Sequence, residues 1–348
     1  MNRPTSVFDE GYRRRRPTIA DVARRAGVSP AAVSFAVNGR PGVGEQTRTR
    51  ILEAAEELGW RPSASARALT EARARTIGLI LARNAEELEV DSFFVRFLSG
   101  VERVLAHAEY ALLLQLIAQA GAVNTLGAYE RLAASGRVDG FLITDPELGD
   151  PRFELLESAG LPVIVAGRPD PPSRFPWLET DHDLGAVLAI EHLVALGHER
   201  IAFLGGPEAY EHVQRRLARW RDAIAAAGLE SGPVAFANGE LGAAVAGVFA
   251  GDPTAVVCTS DTLALALVSA ARARRMSVPG DLSVTGFDDS LLAALSSPAL
   301  TSVRVDYAEF GSAATAALLA ALNGEPAPPY DLSPPVLEVR ASTSPPSR

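Results

Sequence analysis

Thr18-Ile-Ala-Asp-Val-Ala-Arg-Arg-Ala-Gly-Val-Ser-Pro-Ala-Ala-Val-Ser-Phe-Ala-Val37 is the stretch that decides how this chain is built. Thr18 followed by Asp21 is a capping-box-like helix start: a hydroxyl that can accept an orphan N–H, and an acid in the first turn where the helix dipole favours it. Ile19, Val22, Ala23 and Ala26 recur at i, i+3, i+4 and i+7, and Gly27 supplies a left-handed stop. Ser29 with Pro30 behind it is a second N-cap and first-turn pair only two residues later. Two short helices across so tight a turn read as a helix-turn-helix, whose second helix can lie in the major groove with its early side chains at base edges. Val33 and Val37 are expected to face inward, and Pro30, Ala31, Ser34 and Phe35 outward.

A third helix, Glu45 to Leu58, carries Ile51, Ala54, Ala55 and Leu58 on one face, stops at Gly59 and completes an all-α three-helix head over residues 17–61. The run after Trp60-Arg61-Pro62, from Ser63 to Leu69, is helix-capable but has no apolar stripe wide enough to stand alone. Residues 62–75 therefore read as a hinge or linker. Residues 1–16, ending in Arg13-Arg-Arg-Arg16, read as a disordered basic arm, either an extra contact to phosphate or the minor groove or simply a solvated tail.

Charge divides the chain at the same place. Residues 1–76 hold 14 arginines against 8 acids and residues 77–348 hold 19 against 34, together the net −9 of the 348-residue protein. A basic head on an acidic body suits a nucleic-acid binder with a regulatory part, since phosphate contacts supply much of the affinity. All 33 basic residues are arginine, which removes every class of catalysis that needs a lysine. The lone Cys258 excludes an intramolecular disulfide, and no Cys/His spacing suits zinc. No cofactor, no metal and no membrane are expected: no apolar run reaches about 18 residues and no signal peptide leads the chain, so a cytoplasmic location is expected.

From Thr76 short apolar runs alternate with helical ones, the pattern of buried parallel strands in βαβ units. The strands are read at 77–81, 111–117, 138–144 and 163–166, then, after a long helix from Asp183 to Leu196, at 201–204, 234–236, 256–259 and 282–286. The remainder is Leu300–Val305, a helix from Ala308 to Leu322 and a strand Val336–Arg340. Two open sheets are implied.

The stretch Asp21-Val-Ala, Ala26-Gly-Val-Ser, Val33-Ser34, Asn38-Gly, Thr47-Arg48 and Arg61-Pro62 resembles the lac-repressor (LacI/GalR) family. Gly205-Gly206, the Gly-Phe-Asp288-Asp289 run, Thr301-Ser302-Val303 and Arg340-Ala-Ser-Thr343 extend the resemblance over the rest. It implies a periplasmic-binding-protein-like α/β core, residues 76–348, of two doubly wound parallel-sheet lobes. The chain would cross between them near Leu196, near Arg304 and near Ala327, giving an N-lobe of 76–196 plus 304–326 and a C-lobe of 197–303 plus 327–348. Without a leucine-heptad tail a C2 homodimer is expected.

The resemblance further implies double-stranded DNA with a pseudo-palindromic operator as partner. Helix two and its surroundings would touch it through Thr18, Ser29, Pro30, Ala31, Ala32, Ser34, Phe35 and Asn38, with Thr47, Arg48 and Arg61 behind. Ala66 and Leu69 lie on a hinge helix that folds when two subunits meet, Leu69 acting as a minor-groove wedge. Pro30, Ala31 and Phe35 replace the usual polar reading residues, so hydrogen-bonded readout is weak or gives way to apolar contact with thymine methyls. Gly44 stands where the family commonly has a capping serine.

Open α/β sheets bind ligands beyond the carboxyl ends of their strands, and two lobes bring both sets of ends to one cleft. Candidate contacts for a small polar effector, a sugar or sugar derivative, are Arg83, Asn84, Phe93, Phe94, Thr144, Asp145 and Arg168 from one lobe. From the other they are Arg216, at the position of the family's ligand-binding arginine, Ser260, Asp261 and Asp288; Tyr307, entering the last long helix of the N-lobe, completes the set. Charged groups would take paired hydroxyls and an aromatic ring the apolar sugar face. Plain alternatives stand beside these: surface arginines for Arg83 and Arg168, helix N-caps for Asp261 and Asp288, a solvated charge run for Arg216. Ser260 replaces a common asparagine, and Leu184 in place of a polar contact points away from a galactoside.

Other classes fit worse. No Gly-x-Gly-x-x-Gly follows a strand, as a nicotinamide enzyme would need, and Asp288-Asp289 has no paired nucleophile. A non-DNA-binding sugar-binding protein would share the core but not the basic head. The expected function is a sequence-specific transcriptional regulator, a repressor or else an activator, and not an enzyme.

Overall fold

The computed structural model describes residues 17–61, 73–83, 91–117, 122–239 and 241–347. The chain divides into two compact units, Met1–Ala74 and Arg75–Arg348. The basic arm, most of the hinge with Ala66 and Leu69, and Asn84 lie outside the described residues. No helix among the described residues is long and apolar enough to cross a membrane.

The first unit is three helices, α1 (Ile19–Ala26), α2 (Pro30–Val37) and α3 (Glu45–Glu57). Asp21 starts α1 by accepting from the Thr18 N–H and hydroxyl at 2.9 and 2.7 Å. Gly27, at φ +68°, ends it, and Arg50 Nε adds a hydrogen bond to the Ala26 carbonyl at 3.0 Å. The core is small and alanine-rich: Val22, Ala23, Ala26, Val33, Ala36, Ile51, Ala54 and Ala55. On α2 the inward pair is Val33 and Ala36, and Val37 is only half-buried, because eight residues make little more than two turns and the contact follows i, i+3.

The second unit begins with β1 (Thr76–Leu81), α4 (Ser92–Ala108), β2 (Ala111–Leu116), α5 (Ala122–Ala134), β3 (Gly140–Thr144), α6 (Arg152–Ala159), β4 (Val163–Ala166) and β5 (Trp177–Leu178). These strands form an all-parallel sheet of order β2-β1-β3-β4-β5. Next come α7 (His182–Ala195), β6 (Ile201–Gly205), α8 (Glu211–Ala226), β7 (Val234–Phe236), α9 (Leu241–Phe249), β8 (Ala255–Cys258) and α10 (Asp261–Ala273). β9 (Ser283–Phe287), α11 (Leu291–Leu295), β10 (Thr301–Arg304), α12 (Tyr307–Asn323) and β11 (Val336–Glu338) complete the unit. The second sheet runs β11-β10-β9-β8-β6-β7, with β11 alone antiparallel. Strand ends fall within a residue or two of the expected ones; β5 and α11 were not expected, being too short to show a period.

α12 returns to the first lobe, packing on α4, β3 and β4. The approach is backbone to backbone: a Cβ on Gly100 would stand 2.0 Å from the Ala308 carbonyl oxygen, and one on Gly311 2.2 Å from that of Phe97. α7 corrects the expected crossing near Leu196. It packs on α8, β8, β10 and β11, so the first crossing precedes His182 and the helix belongs to the second lobe. The cause is burial: Gly185 sits under the Phe287 ring, and Ala189, Ile190 and Leu193 join the core beside Ile201 and Phe203.

Candidate functional site

On the head, Ser29 accepts from the Ala32 N–H at 3.2 Å and so starts α2. Pro30 and Ala31 are exposed, and the Phe35 ring, 39% exposed, lies against Gly42 in the loop before α3. Asn38 Nδ2 donates to Ser34 Oγ at 3.4 Å, and Arg48, one turn into α3, ties the loop by donating to the Arg40 carbonyl at 3.1 Å. Thr18, Ala32 and Thr47 are partly exposed and Arg61 is exposed. The described candidates for DNA contact therefore all belong to one small unit, together with exposed Arg40, which the sequence reading omitted.

The second unit carries a cavity of about 230 Å3 at the ends of β1 and β3, lined by Arg83, Thr144, Asp145, Glu147, Arg152 and, from the other lobe, Tyr210. Arg83 is its centre. It reaches Asp145 at 2.9 Å and Asp91 at 3.2 Å and lies over the rings of Phe94 and Tyr210. Burial works against its charge, but Asp145, Tyr210 and Asp91 keep the guanidinium firmly protonated. Burial likewise opposes ionised Asp145, yet the charge and hydrogen bond of Arg83 hold its carboxyl below the usual range. Arg152 is pinned by Asp150 and by the Thr144 and Asp145 carbonyls, at 3.2 and 2.9 Å, which fixes the loop that presents Asp145.

On the second lobe, α8 carries Arg216, 5% exposed, with its guanidinium carbon 3.6 Å from the Phe287 ring centroid. It donates to the Thr259 carbonyl at 2.7 Å and to His182 Nδ1 at 3.0 Å, and its Nε has no partner among the described residues. Because arginine only donates, His182 Nδ1 must accept, which places the neutral ring's proton on Nε2. Burial, then Arg216, lowers both His182 and His212, the latter to about 3. Both imidazoles are neutral at ordinary pH.

Asp288 sits at φ +104°, with Tyr307 donating to its Oδ1 at 2.7 Å. Burial, and then nearby Asp261, pushes its carboxyl well above the usual range. Phe93 meets the Tyr307 ring edge-on at 4.8 Å, so the α4–α12 contact positions both. The lobes also join through main chain: Leu148 N–H donates to the Ala209 carbonyl and Glu211 N–H to that of Pro146, each at 3.0 Å. Beside this strap, burial lifts Glu211 to about 7 against the pull of Arg215.

Pattern comparison decides the family. Residues 18–63 match "Bacterial regulatory proteins, lacI family" and residues 190–343 match "Periplasmic binding protein-like domain". The HTH-type transcriptional regulator CelR of Thermobifida fusca is 32% identical over 92% of this chain and 96% of its own length. The chain belongs to the LacI family. Among solved structures, a transcriptional regulator CelR–cellobiose complex aligns with 29% identity and a TM-score of 0.69, over 94% of this chain and 100% of that one. The lac repressor dimer bound to operator and the anti-inducer ONPF aligns with 25% identity and a TM-score of 0.80, over 94% and 99%. The protein is thus a DNA-binding transcriptional regulator of the LacI family, and the similar proteins are regulators rather than enzymes.

Within this LacI-family core, Arg83, Thr144, Asp145, Phe93, Phe94, Arg216, Asp288 and Tyr307 gather at the strand ends. Asp261 does not join them. It is 2% exposed, and its carboxylate accepts from the Ser290 N–H at 2.6 Å and the Ser302 hydroxyl at 2.5 Å, which commits it to holding the loop after β9. Ser260 caps α10 through the Leu263 N–H. Arg168 is exposed and lies over Trp177. Asp91, Arg152, His182, Tyr210 and His212 escaped the sequence reading, although His212 stands i, i+4 from Arg216 on one helix face.

Proposed function

We propose that the protein is a homodimeric repressor that binds a pseudo-palindromic operator and changes its affinity when a neutral, polyhydroxylated ligand, a sugar or oligosaccharide, enters the cleft between its lobes. The observation that carries this reading is the pairing state of the cleft. Arg83 is already matched by Asp145 and Asp91, Arg152 by Asp150, and the two histidines are uncharged. A phosphorylated or carboxylate ligand would have to displace an internal carboxylate at Arg83 or Arg152, and would find only Arg216, among these three, held by a carbonyl and a neutral imidazole instead. Hydroxyls, by contrast, can both donate to Asp145 and Asp288 and accept from Arg216 Nε and the histidine N–H groups. Phe93 and Tyr210 supply the rings for a sugar face, and the cellobiose complex of the CelR regulator supports the same ligand class.

A second copy is supported by Leu291, Leu292 and Leu295 on α11, 71, 56 and 73% exposed, a patch that a C2 contact would cover. The test is a thermal-shift screen of the full chain against neutral mono- and oligosaccharides, sugar phosphates and purines, followed by operator binding with each hit. A neutral sugar that shifts the melting temperature and changes DNA affinity is expected, and linkage requires DNA to change the sugar's affinity by the same factor. A response to sugar phosphates or purines alone would overturn the ligand class, and a monomer at working concentration would overturn the dimer.

A further inference from the structure

We propose that the head reads thymine methyl groups, with Phe35 as the specificity-determining side chain and Ala31 and Pro30 beside it. The proposal rests on α2 entering the major groove, as the second helix of a helix-turn-helix does. What distinguishes this α2 is that its outward face has almost nothing with which to hydrogen-bond a base. Residues 30–37 contain one polar side chain, Ser34, and its hydroxyl accepts from Asn38 Nδ2 at 3.4 Å. The capping Ser29 hydroxyl is engaged by the Ala32 N–H at 3.2 Å. Arg48, the nearest long donor on α3, is turned onto the Arg40 carbonyl at 3.1 Å.

The apolar groups are, by contrast, presented. Val33 and Ala36 are buried, while Pro30 and Ala31 are exposed and Phe35 is the exposed large apolar side chain of the helix at 39%. Its ring is backed by the loop before α3: a Cβ on Gly42 would make ordinary van der Waals contact with Phe35 Cδ2 at 3.4 Å, and Gly42 itself holds φ +115°, a conformation that side-chain-bearing residues rarely adopt. A ring held in place loses little further freedom on binding. The occupant follows from charge and chemistry. Residues 1–76 together carry 14 arginines against 8 acids, so the segment that includes Phe35 is drawn to phosphate, and the one apolar group that a duplex displays in its major groove is the C5 methyl of thymine. Cytosine, at the same edge, lacks that methyl and offers an amino donor, for which Ser34 is the one side-chain acceptor within residues 30–37.

The experiment selects duplexes from a random pool with the full-length chain at one fixed salt concentration. It then replaces thymine by uracil, one position at a time, which deletes the methyl and keeps the base pair. One or two positions per half-site should each lose about fourfold in affinity, the equivalent of about 0.8 kcal/mol for one buried methyl-sized group at 1.4 kcal/mol per tenfold. Restoring the methyl as 5-methylcytosine opposite guanine at those positions should recover part of the loss relative to cytosine. In Phe35→Ala the thymine-to-uracil ratio should fall to about one, while Phe35→Leu keeps part of it. If uracil and thymine duplexes bind alike at every position of a selected site, the proposal is overturned although DNA binding stands. If no duplex is selected, the major-groove reading fails first and this one with it. The uracil arm leaves the protein untouched, so it decides the matter even if a Phe35 variant does not fold.

Discussion

Arg96, on the first lobe, donates to the main-chain carbonyl of Asp289, on the second, at 2.6 Å, and its other terminal nitrogen reaches the Asp288 carbonyl at 3.0 Å. Both aspartates hold positive φ, +104° and +48°, and the Asp289 carboxylate is in turn tied to Arg340. One guanidinium thus clamps the backbone of the residue best placed to touch a ligand. Hydrogen bonds from a charged donor are worth about 1.5–3 kcal/mol, and partial exposure puts this pair at the low end. Arg96→Ala is expected to destabilise the core by about 1–2 kcal/mol in urea unfolding and to speed amide exchange at 288–290 but not in β1. Arg96→Lys keeps the charge without the fork and should restore less than half. Unchanged exchange at 288–290 would show that the clamp is incidental.

Asp261 and Asp288 looked alike in sequence, each following a strand, and the structure separates them. Removing the Asp261 carboxylate leaves the Ser290 N–H and the Ser302 hydroxyl buried without it, at about 1–3 kcal/mol for each orphaned group. Asp261→Ala should therefore cost about 2–4 kcal/mol in stability. Asp288→Asn can still accept from Tyr307, so its stability should stay within about 1 kcal/mol of wild type while the sugar response found by screening is lost. Equal stability losses in the two variants would dissolve the distinction.

That pair also shows what could be read without coordinates. The head was legible almost residue by residue because Thr18, Gly27, Ser29 and Pro30 are local signals, each sufficient where it stands. Strands were legible as continuous apolar runs. The lobe to which α7 belongs was not, since periodicity marks a helix but not the sheet it covers; that choice was made by Gly185 fitting under Phe287. Asp91 and Asp145 became parts of one site only through Arg83, and no local rule joins residues so far apart in the chain.

His212 gives the pH prediction. Burial and Arg216 depress its folded pKa to about 3 from 6.5, so between these values the unfolded chain binds the extra proton. Acid therefore removes stability as pH falls through 6.5 toward 3, by up to about 1.4 kcal/mol per unit. His212→Gln lacks this titration. Its stability relative to wild type should rise as pH is lowered from 7.5 to 5, measured by urea unfolding at fixed ionic strength. Raised groups such as Glu211, lifted to about 7, act in the opposite direction in both proteins and cancel in the difference. Parallel stability curves for the two proteins would mean that His212 is not held neutral by its surroundings.

The α4–α12 contact predicts opposite signs for one kind of substitution. Glycine inside a helix costs roughly 0.5–1 kcal/mol relative to alanine, so Gly→Ala in an open helical position should stabilise. Gly127 on α5 is such a position: its added Cβ would meet only the end of the Arg131 side chain, at 3.1 Å, which can move aside. At Gly311 the same Cβ would stand 2.2 Å from the Phe97 carbonyl oxygen, and at Gly100 2.0 Å from that of Ala308, and backbone cannot yield without separating the helices. Overpacking of this kind costs about 1–3 kcal/mol or more, which exceeds the propensity gain. Gly127→Ala should therefore raise the urea midpoint slightly, and Gly311→Ala should lower it clearly. The second effect should reach the cleft as well, because the same helix pair sets Phe93 against Tyr307 at 4.8 Å and aims the Tyr307 hydroxyl at Asp288. Weakened sugar binding in Gly311→Ala, at a temperature where the variant remains folded, would show that helix spacing sets the geometry of the ligand site; full affinity would show that the two are independent.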